Sequence, residues 1–133
     1  MRGVDTNVLL RFVLRDDEAQ ARSAKAAIDH AAAVGDPLLV GLLALLETEW
    51  VLRLRAHLTK ESVIGVFQQL LETRDLGVES SETLEQALEA YESGPADFAD
   101  CLINARYQEI GCEAMITFDA RAAKLPGARL LAS

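Results

Sequence analysis

Short apolar runs alternate along this chain with longer stretches in which apolar residues recur every three or four positions. The first run closes at Val4, which ends a very short strand, and Val8 to Leu14 then reads as an apolar helix ending near Arg15. Thr6 or Asn7 can cap it, because their side-chain oxygens accept the first unpaired helical N–H groups. Asp16-Asp17-Glu18 opens a second helix with acids in its first turn, where the helix dipole favours them. Ala19, Ala26, Ile28 and Ala33 are its expected inner face, and Gly35-Asp36-Pro37 stops it. Leu38-Leu39-Val40 reads as a buried parallel strand with Gly41 turning out of it. A helix from about Leu42 to Ala56 follows, with Leu43, Leu46, Trp50 and Leu54 as the expected core stripe.

Thr59-Lys60-Glu61-Ser62 has cap character, and Val63, Val66, Phe67, Leu70 and Leu71 follow at helical spacing. Asp75 to Val78 is a further strand, and Ser81 caps a helix through Tyr91 that buries Leu84, Ala87, Leu88 and Tyr91. Ser93-Gly94-Pro95 breaks the chain before a helix from Ala96 to Glu109, which Gly111 ends. Ala114 to Thr117 is a strand, Asp119 to Lys124 a short helical turn, and Arg129-Leu130-Leu131 a last strand. Strands alternating with helices imply an α/β layer fold, with a central, mainly parallel sheet flanked by helices on both faces.

With 133 residues, one domain spanning 1–133 is expected, large enough to bury a core without disulfides or a structural metal. Half the residues are hydrophobic, which excludes general disorder. The longest apolar run, Leu38 to Leu46, is too short to cross a bilayer, and no charged-then-apolar signal segment opens the chain. Cys101 and Cys112 have no metal-ligand or redox spacing, so both are expected to be reduced, buried thiols of a cytoplasmic protein. Thirteen bases against 21 acids give a net charge of −8. Residues 1–60 carry eight of each sign, and Glu79 to Asp100 holds seven acids and no base. A general binder of the phosphate backbone would be basic. The excess acids therefore either form a solvated face or converge on a cation.

Four places set a carboxylate at an element boundary or in apolar surroundings. Asp5 follows the first strand, where parallel sheets open into a crevice, although the turn chemistry of Asp-Thr-Asn accounts for it equally well. Glu47 lies in a mostly apolar helix, whereas Glu49, beside Trp50, is expected at the surface. Asp97 and Asp100 are spaced i and i+3 on one helix face, with Asn104 a turn further along, and Asp119 follows Ile116-Thr117-Phe118. Like charges brought together need a counter-charge. Arg11, Arg15, Arg53 and Arg121 are available, but a divalent cation answers several carboxylates at once. Oxygen donors without a His or Cys constellation suit Mg²⁺ or Mn²⁺ rather than zinc, and Mg²⁺ points to phosphate-ester chemistry. His30 and His57 fit no ligand pattern.

These residues fall in four ordered motifs: Val4-Asp5-Thr6-Asn7-Val8-Leu9-Leu10-Arg11, Leu46-Glu47-Thr48-Glu49-Trp50-Val51-Leu52-Arg53, Ala96-Asp97-Phe98-Ala99-Asp100-Cys101-Leu102-Ile103, and Thr117-Phe118-Asp119. Together they resemble the PIN domain, and specifically the VapC-type toxins of type II toxin–antitoxin pairs. In that family the second acid precedes the tryptophan by three positions, which selects Glu47 over Glu49. The resemblance implies a PIN-like α/β fold, a pocket holding one or two Mg²⁺ or Mn²⁺ ions, and metal-dependent endoribonuclease activity. It makes Asp5, Glu47, Asp100 and Asp119 the catalytic and metal-holding acids around a common cation. Asp97 becomes a secondary acid, and Thr6 and Thr117 become residues that orient a carboxylate or water. Asn104 stands where the family usually has a small apolar residue.

The expected mechanism is in-line attack of a metal-activated water on an RNA phosphodiester, with no covalent nucleophile. Arg11, Arg15, Arg53 and Arg55 are candidates for steering RNA, or equally for pairing with surface acids. The resemblance also implies a cognate antitoxin that sets a basic side chain among the acids, and a homodimer. Two other classes fit less well. An aspartate-nucleophile phosphatase wants a second Asp where Asn7 stands, and a phosphorylatable receiver module wants an acidic pair near the first strand and a late Lys. A PIN scaffold that only binds RNA or a partner would not require the complete acid set.

Overall fold

Pairing Val4 in a parallel ladder and then turning at Asp5 is what begins the fold. In the computed structural model, which describes residues 1–132, β1 (Gly3–Val4) runs into α1 (Thr6–Leu14) with Asp5 as the cap. The chain divides into two compact units, Met1–Ser80 and Ser81–Ser133.

The first unit continues through α2 (Glu18–Ala33), β2 (Leu38–Val40), α3 (Leu42–Leu54), α4 (Lys60–Glu72) and β3 (Leu76–Val78). Its three strands pair in parallel in the order β1-β2-β3, with Val4 beside Val40 and Val40 beside Val78. Parallel strands need long crossovers, which α1 and α2 provide between β1 and β2, and α3 and α4 between β2 and β3. Leu9, Ile28, Val40, Leu45, Leu52, Val63 and Phe67 are almost wholly removed from water. Side chains of this size contribute about 1.5–3 kcal/mol each when fully buried.

The second unit comprises α5 (Ser81–Ser93), α6 (Phe98–Ile110), β4 (Met115–Thr117), a 3₁₀ turn at Ala122–Lys124 and β5 (Ala128–Leu130). Its helices pack on each other through Leu84, Leu88, Leu102 and an edge-to-face contact of Tyr91 with Phe98 at 5.7 Å. Gly111 ends α6 in the left-handed conformation, at a φ of 97° that a side chain would resist. β4 and β5 pair in parallel, with Met115 beside Ala128 and Thr117 beside Leu130. The expected α/β class with parallel strands is what the chain adopts, its ladders divided between three strands and two.

Several local expectations need correction. Asp5, not Thr6 or Asn7, caps α1. The inner face of α2 is Ala24, Ile28 and Ala31, while Ala19, Ala26 and Ala33 are exposed, since alanines alone do not define a face and Ile28 does. On α3 the buried set is Leu42, Leu45, Thr48, Glu49 and Leu52, whereas Leu43, Trp50 and Leu54 are exposed and Leu46 is half-buried. That helix is apolar on nearly every side, so hydrophobic spacing could not select its inner stripe. Glu49 is accordingly buried rather than at the surface, and its carboxylate accepts from Arg53 Nε at 2.8 Å. Thr48 is satisfied within the helix by donating to Ala44 O at 2.7 Å. Cys101 is buried as expected, but Cys112 is exposed. No helix among the described residues is long and apolar enough to cross a membrane.

Candidate active site

In the first unit, the turn from β1 into α1 fixes Asp5 in extended conformation with its Oδ1 accepting from Val8 N at 3.0 Å. Capping therefore occupies one carboxylate oxygen, and Oδ2 has no donor among the described residues. The next residue turns its side chain toward α3. Thr6 Oγ1 donates to Glu47 Oε1 at 3.1 Å, a bond between residues 41 apart in sequence. Glu47 is exposed and its second oxygen has no donor among the described residues. Thr6 thus ties the Asp5 turn to Glu47. Glu49, two residues on, is buried against Arg53 and belongs to the core instead.

In the second unit, β4 delivers Thr117 and Asp119 to a tight turn. Thr117 Oγ1 accepts from Asp119 N at 3.0 Å, and Asp119 Oδ1 accepts from the backbone N–H groups of Arg121 at 2.7 Å and Ala122 at 3.2 Å. Those two backbone donors, with the Arg121 guanidinium, hold the Asp119 carboxyl below its ordinary pKa. Asp97 occupies the N-cap position of α6 without making a capping bond, and its Oδ2 lies 3.6 Å from Arg121 Nη2. Arg121 Nε lies 3.9 Å from Asp119 Oδ1. Asp100 is one turn into α6, half-buried, and accepts no hydrogen bond among the described residues. Its pKa is raised, first by burial and then by the charges of Asp119 and Asp97, with Arg121 opposing.

The four core acids thus share a pattern. Asp5, Glu47 and Asp119 each have one oxygen held and one unengaged, and Asp100 has both unengaged. The held oxygen fixes the carboxylate's orientation, and the other remains a hard donor. Thr6 holds the Glu47 oxygen with its hydroxyl, backbone N–H groups hold those of Asp5 and Asp119, and the Thr117 hydroxyl fixes the turn by accepting from the Asp119 N–H. Among the described residues no three Asp, Glu, His or Cys side chains are grouped as a ready set of metal ligands. The chemistry of the donors nevertheless fits Mg²⁺ or Mn²⁺. They are all carboxylates, and the burial and like charges that raise the Asp100 pKa are what a divalent cation offsets.

The arginines expected to steer substrate divide by their partners. Arg11 donates to Asp16 at 2.9 and 3.1 Å and to Gln20 at 2.6 Å, and Arg53 is engaged with Glu49. Arg55 lies over the Trp50 ring at 5.9 Å, and Arg15 is exposed at the left-handed end of α1. Asn104 is buried and donates to Pro126 O at 2.9 Å, which fixes the approach to β5. The Glu49–Arg53 pair was missed in the sequence, although its i, i+4 spacing was the signal that it could form.

In a comparison with known families, the family model described as the PIN domain aligns with residues 4–128 and runs through both units. No curated protein and no solved structure matches the chain.

Proposed function

The chain belongs to the PIN domain family, and on that premise we propose that it is a metal-dependent endoribonuclease and the toxin of a VapC-type toxin–antitoxin pair. PIN domains are generally nucleases. The finer reading assigns Asp5, Glu47, Asp100 and Asp119 as the carboxylates that hold Mg²⁺ or Mn²⁺, with Asp97 auxiliary, within a single PIN domain. One observation carries it. Asp100 is half-buried, without a hydrogen-bond donor, and repelled by Asp119 and Asp97. A carboxylate kept in that state costs stability unless a cation joins it.

When bound, a divalent cation supplies Lewis-acid activation of water and offsets charge on the phosphoryl oxygens. The chain's own residues prepare that chemistry. Thr6 fixes the Glu47 carboxylate, and Thr117 fixes the turn that presents Asp119. The capping bond to Val8 fixes Asp5. Arg121 tempers the acid cluster of its unit and is a cation available to a phosphate. Of the proposed steering residues, Arg15 and Arg55 have no ion pair among the described residues, while Arg11 and Arg53 already have partners.

An RNA nuclease of this kind requires restraint, and the proposed partner is an antitoxin that brings a basic side chain to the acids. A homodimer is the proposed assembly, supported by the exposed Leu43, Trp50 and Leu54 along α3. The test is cleavage of structured RNA, with single-stranded DNA in parallel, in Mg²⁺ or Mn²⁺ and in EDTA. Asp5→Asn and Asp100→Asn should each abolish metal-dependent cleavage while circular dichroism stays unchanged. Undiminished cleavage by both variants, or cleavage unaffected by EDTA, overturns the assignment.

A further inference from the structure

Within the second unit, α5, α6 and the segment from Arg121 to Pro126 enclose a cavity of about 550 Å³. Its volume is in the range of small-molecule sites. We infer that this cavity binds a phosphate-bearing nucleotide of the RNA strand, beside the acid cluster and sharing Arg121 with it. The inference rests on the nuclease reading for the identity of the strand, and on the cavity alone for the chemistry of the ligand.

Charge is the first argument. Residues 81–133 carry nine acids and only four bases, yet two of those bases, Arg121 and Lys124, line this cavity against a single acid, Glu89. The other two bases are committed elsewhere, Arg106 to Glu109 at 2.8 Å and Arg129 to Glu113 at 3.0 Å. Lys124 has no ion pair among the described residues, and the contacts of Arg121 with Asp97 and Asp119 are long. The lining is therefore net positive within a strongly acidic unit, which selects an anion.

The rest of the lining selects the remainder of a nucleotide. Asn104 is buried with its Nδ2 held by Pro126 O, and its side-chain carbonyl has no donor among the described residues. Gln86 contributes a second amide, and Leu125 and Ala90 supply apolar surface for the face of a base. Amides that donate and accept suit base edges, while an apolar wall suits the ring. Arg121 joins this cavity to Asp97 and Asp119, so a strand whose phosphate meets Arg121 and Lys124 continues past the acids.

The full chain, at 14.5 kDa, is suited to nitrogen-15 NMR titration with uridine 5′-monophosphate, with uridine and inorganic phosphate as separate arms. The monophosphate should shift the Asn104 and Gln108 side-chain amides and the Arg121 Nε signal saturably. Lys124→Gln should weaken that binding about tenfold by removing a charge-assisted contact, and Ala90→Phe should abolish it by filling the space. Uridine or phosphate alone should bind more weakly than the monophosphate. Absence of saturable shifts at these residues overturns the inference, as does equal affinity in both variants or phosphate binding as tightly as the nucleotide. RNA cleavage is measured in parallel. If the wild-type chain cleaves nothing while the titration behaves as expected, the nuclease reading fails and the cavity stands. If cleavage is intact and the cavity residues do not shift, the nuclease reading stands and the cavity inference fails.

Discussion

Thr6 donates its hydroxyl to Glu47 at 3.1 Å, bridging the first turn of α1 and the second of α3. The bond is solvent-exposed, so its net contribution to stability is small, on the order of 1 kcal/mol or less. Its consequence is orientation: one Glu47 oxygen is held and the other is aimed by it. Thr6→Val should therefore lower cleavage about tenfold with little loss of stability, a degree of misplacement sufficient for that cost. Thr6→Ser should retain most of the activity. Equal cleavage by the valine and serine variants would show that the hydroxyl has no orienting role.

Glu47 and Glu49 are two residues apart and have opposite surroundings. Glu49 is buried with Arg53 across one helical turn, at 2.8 Å. Removing the arginine leaves a carboxylate without its closest cation in the core. Arg53→Gln should destabilise the fold by about 1–3 kcal/mol, below the cost of breaking a wholly buried pair because the guanidinium is itself partly solvated. Glu47→Gln should leave the urea midpoint almost unchanged and eliminate cleavage. A stable, inactive Arg53→Gln variant, or an unstable Glu47→Gln one, would reverse the two roles.

The same helix shows where sequence reading runs out. α3 has only three charged residues in LLALLETEWVLRL, so its apolar positions occur on every side and do not choose an inner face. The choice falls on the stripe that contains Glu49, which is admissible only because Arg53 lies one turn away. By contrast, β2 and β4 and the end of α6 were legible, because Leu38-Leu39-Val40 and Met115-Ile116-Thr117 are short apolar runs and Gly111 is a conformational stop. The acids were legible as types in ordered motifs. Their individual constraints were not, since the cap at Asp5 and the turn at Asp119 depend on backbone geometry. The cavity beside Arg121 was invisible, because Gln86, Asn104 and Lys124 are far apart in sequence and ordinary in type.

Asp100 makes a prediction about stability whose sign is opposite to that of most carboxylates. Its folded-state pKa is raised above the ordinary 3.8, so the folded chain keeps the proton to higher pH than the unfolded chain. The resulting penalty is absent below the unfolded value, grows as pH rises through the window up to the folded value, and is complete above it. Asp119 runs the other way: its contribution is present above the unfolded value and is lost as pH falls through the folded one. In EDTA at neutral pH, Asp100→Asn should therefore melt at a higher temperature than the wild type, with the difference narrowing toward about pH 4. Adding Mg²⁺ should stabilise the wild type by about 2.7 kcal/mol at a hundredfold excess over the Kd, and the variant far less. A lower melting temperature for Asp100→Asn in EDTA would contradict the repulsion inferred at this carboxylate.

Arg121 opposes that repulsion from a position between Asp97, at 3.6 Å, and Asp119, at 3.9 Å. Both contacts are long and made by half-exposed groups, so they contribute little directly to stability. Their effect on the acids is more specific. The guanidinium lowers the pKa of Asp100 against the pull of burial and of its acidic neighbours. Arg121→Gln should therefore move the Asp100 carboxyl titration, followed by carbon-13 NMR in EDTA, to higher pH. At neutral pH the same change removes a positive charge that repels an incoming cation. Mn²⁺ affinity, read by electron paramagnetic resonance, should then rise several-fold, and the gain should shrink in high salt as screening shortens the reach of the charge. An Asp100 titration that stays in place in Arg121→Gln, together with unchanged Mn²⁺ affinity, would mean that Arg121 does not govern the charge balance of this cluster.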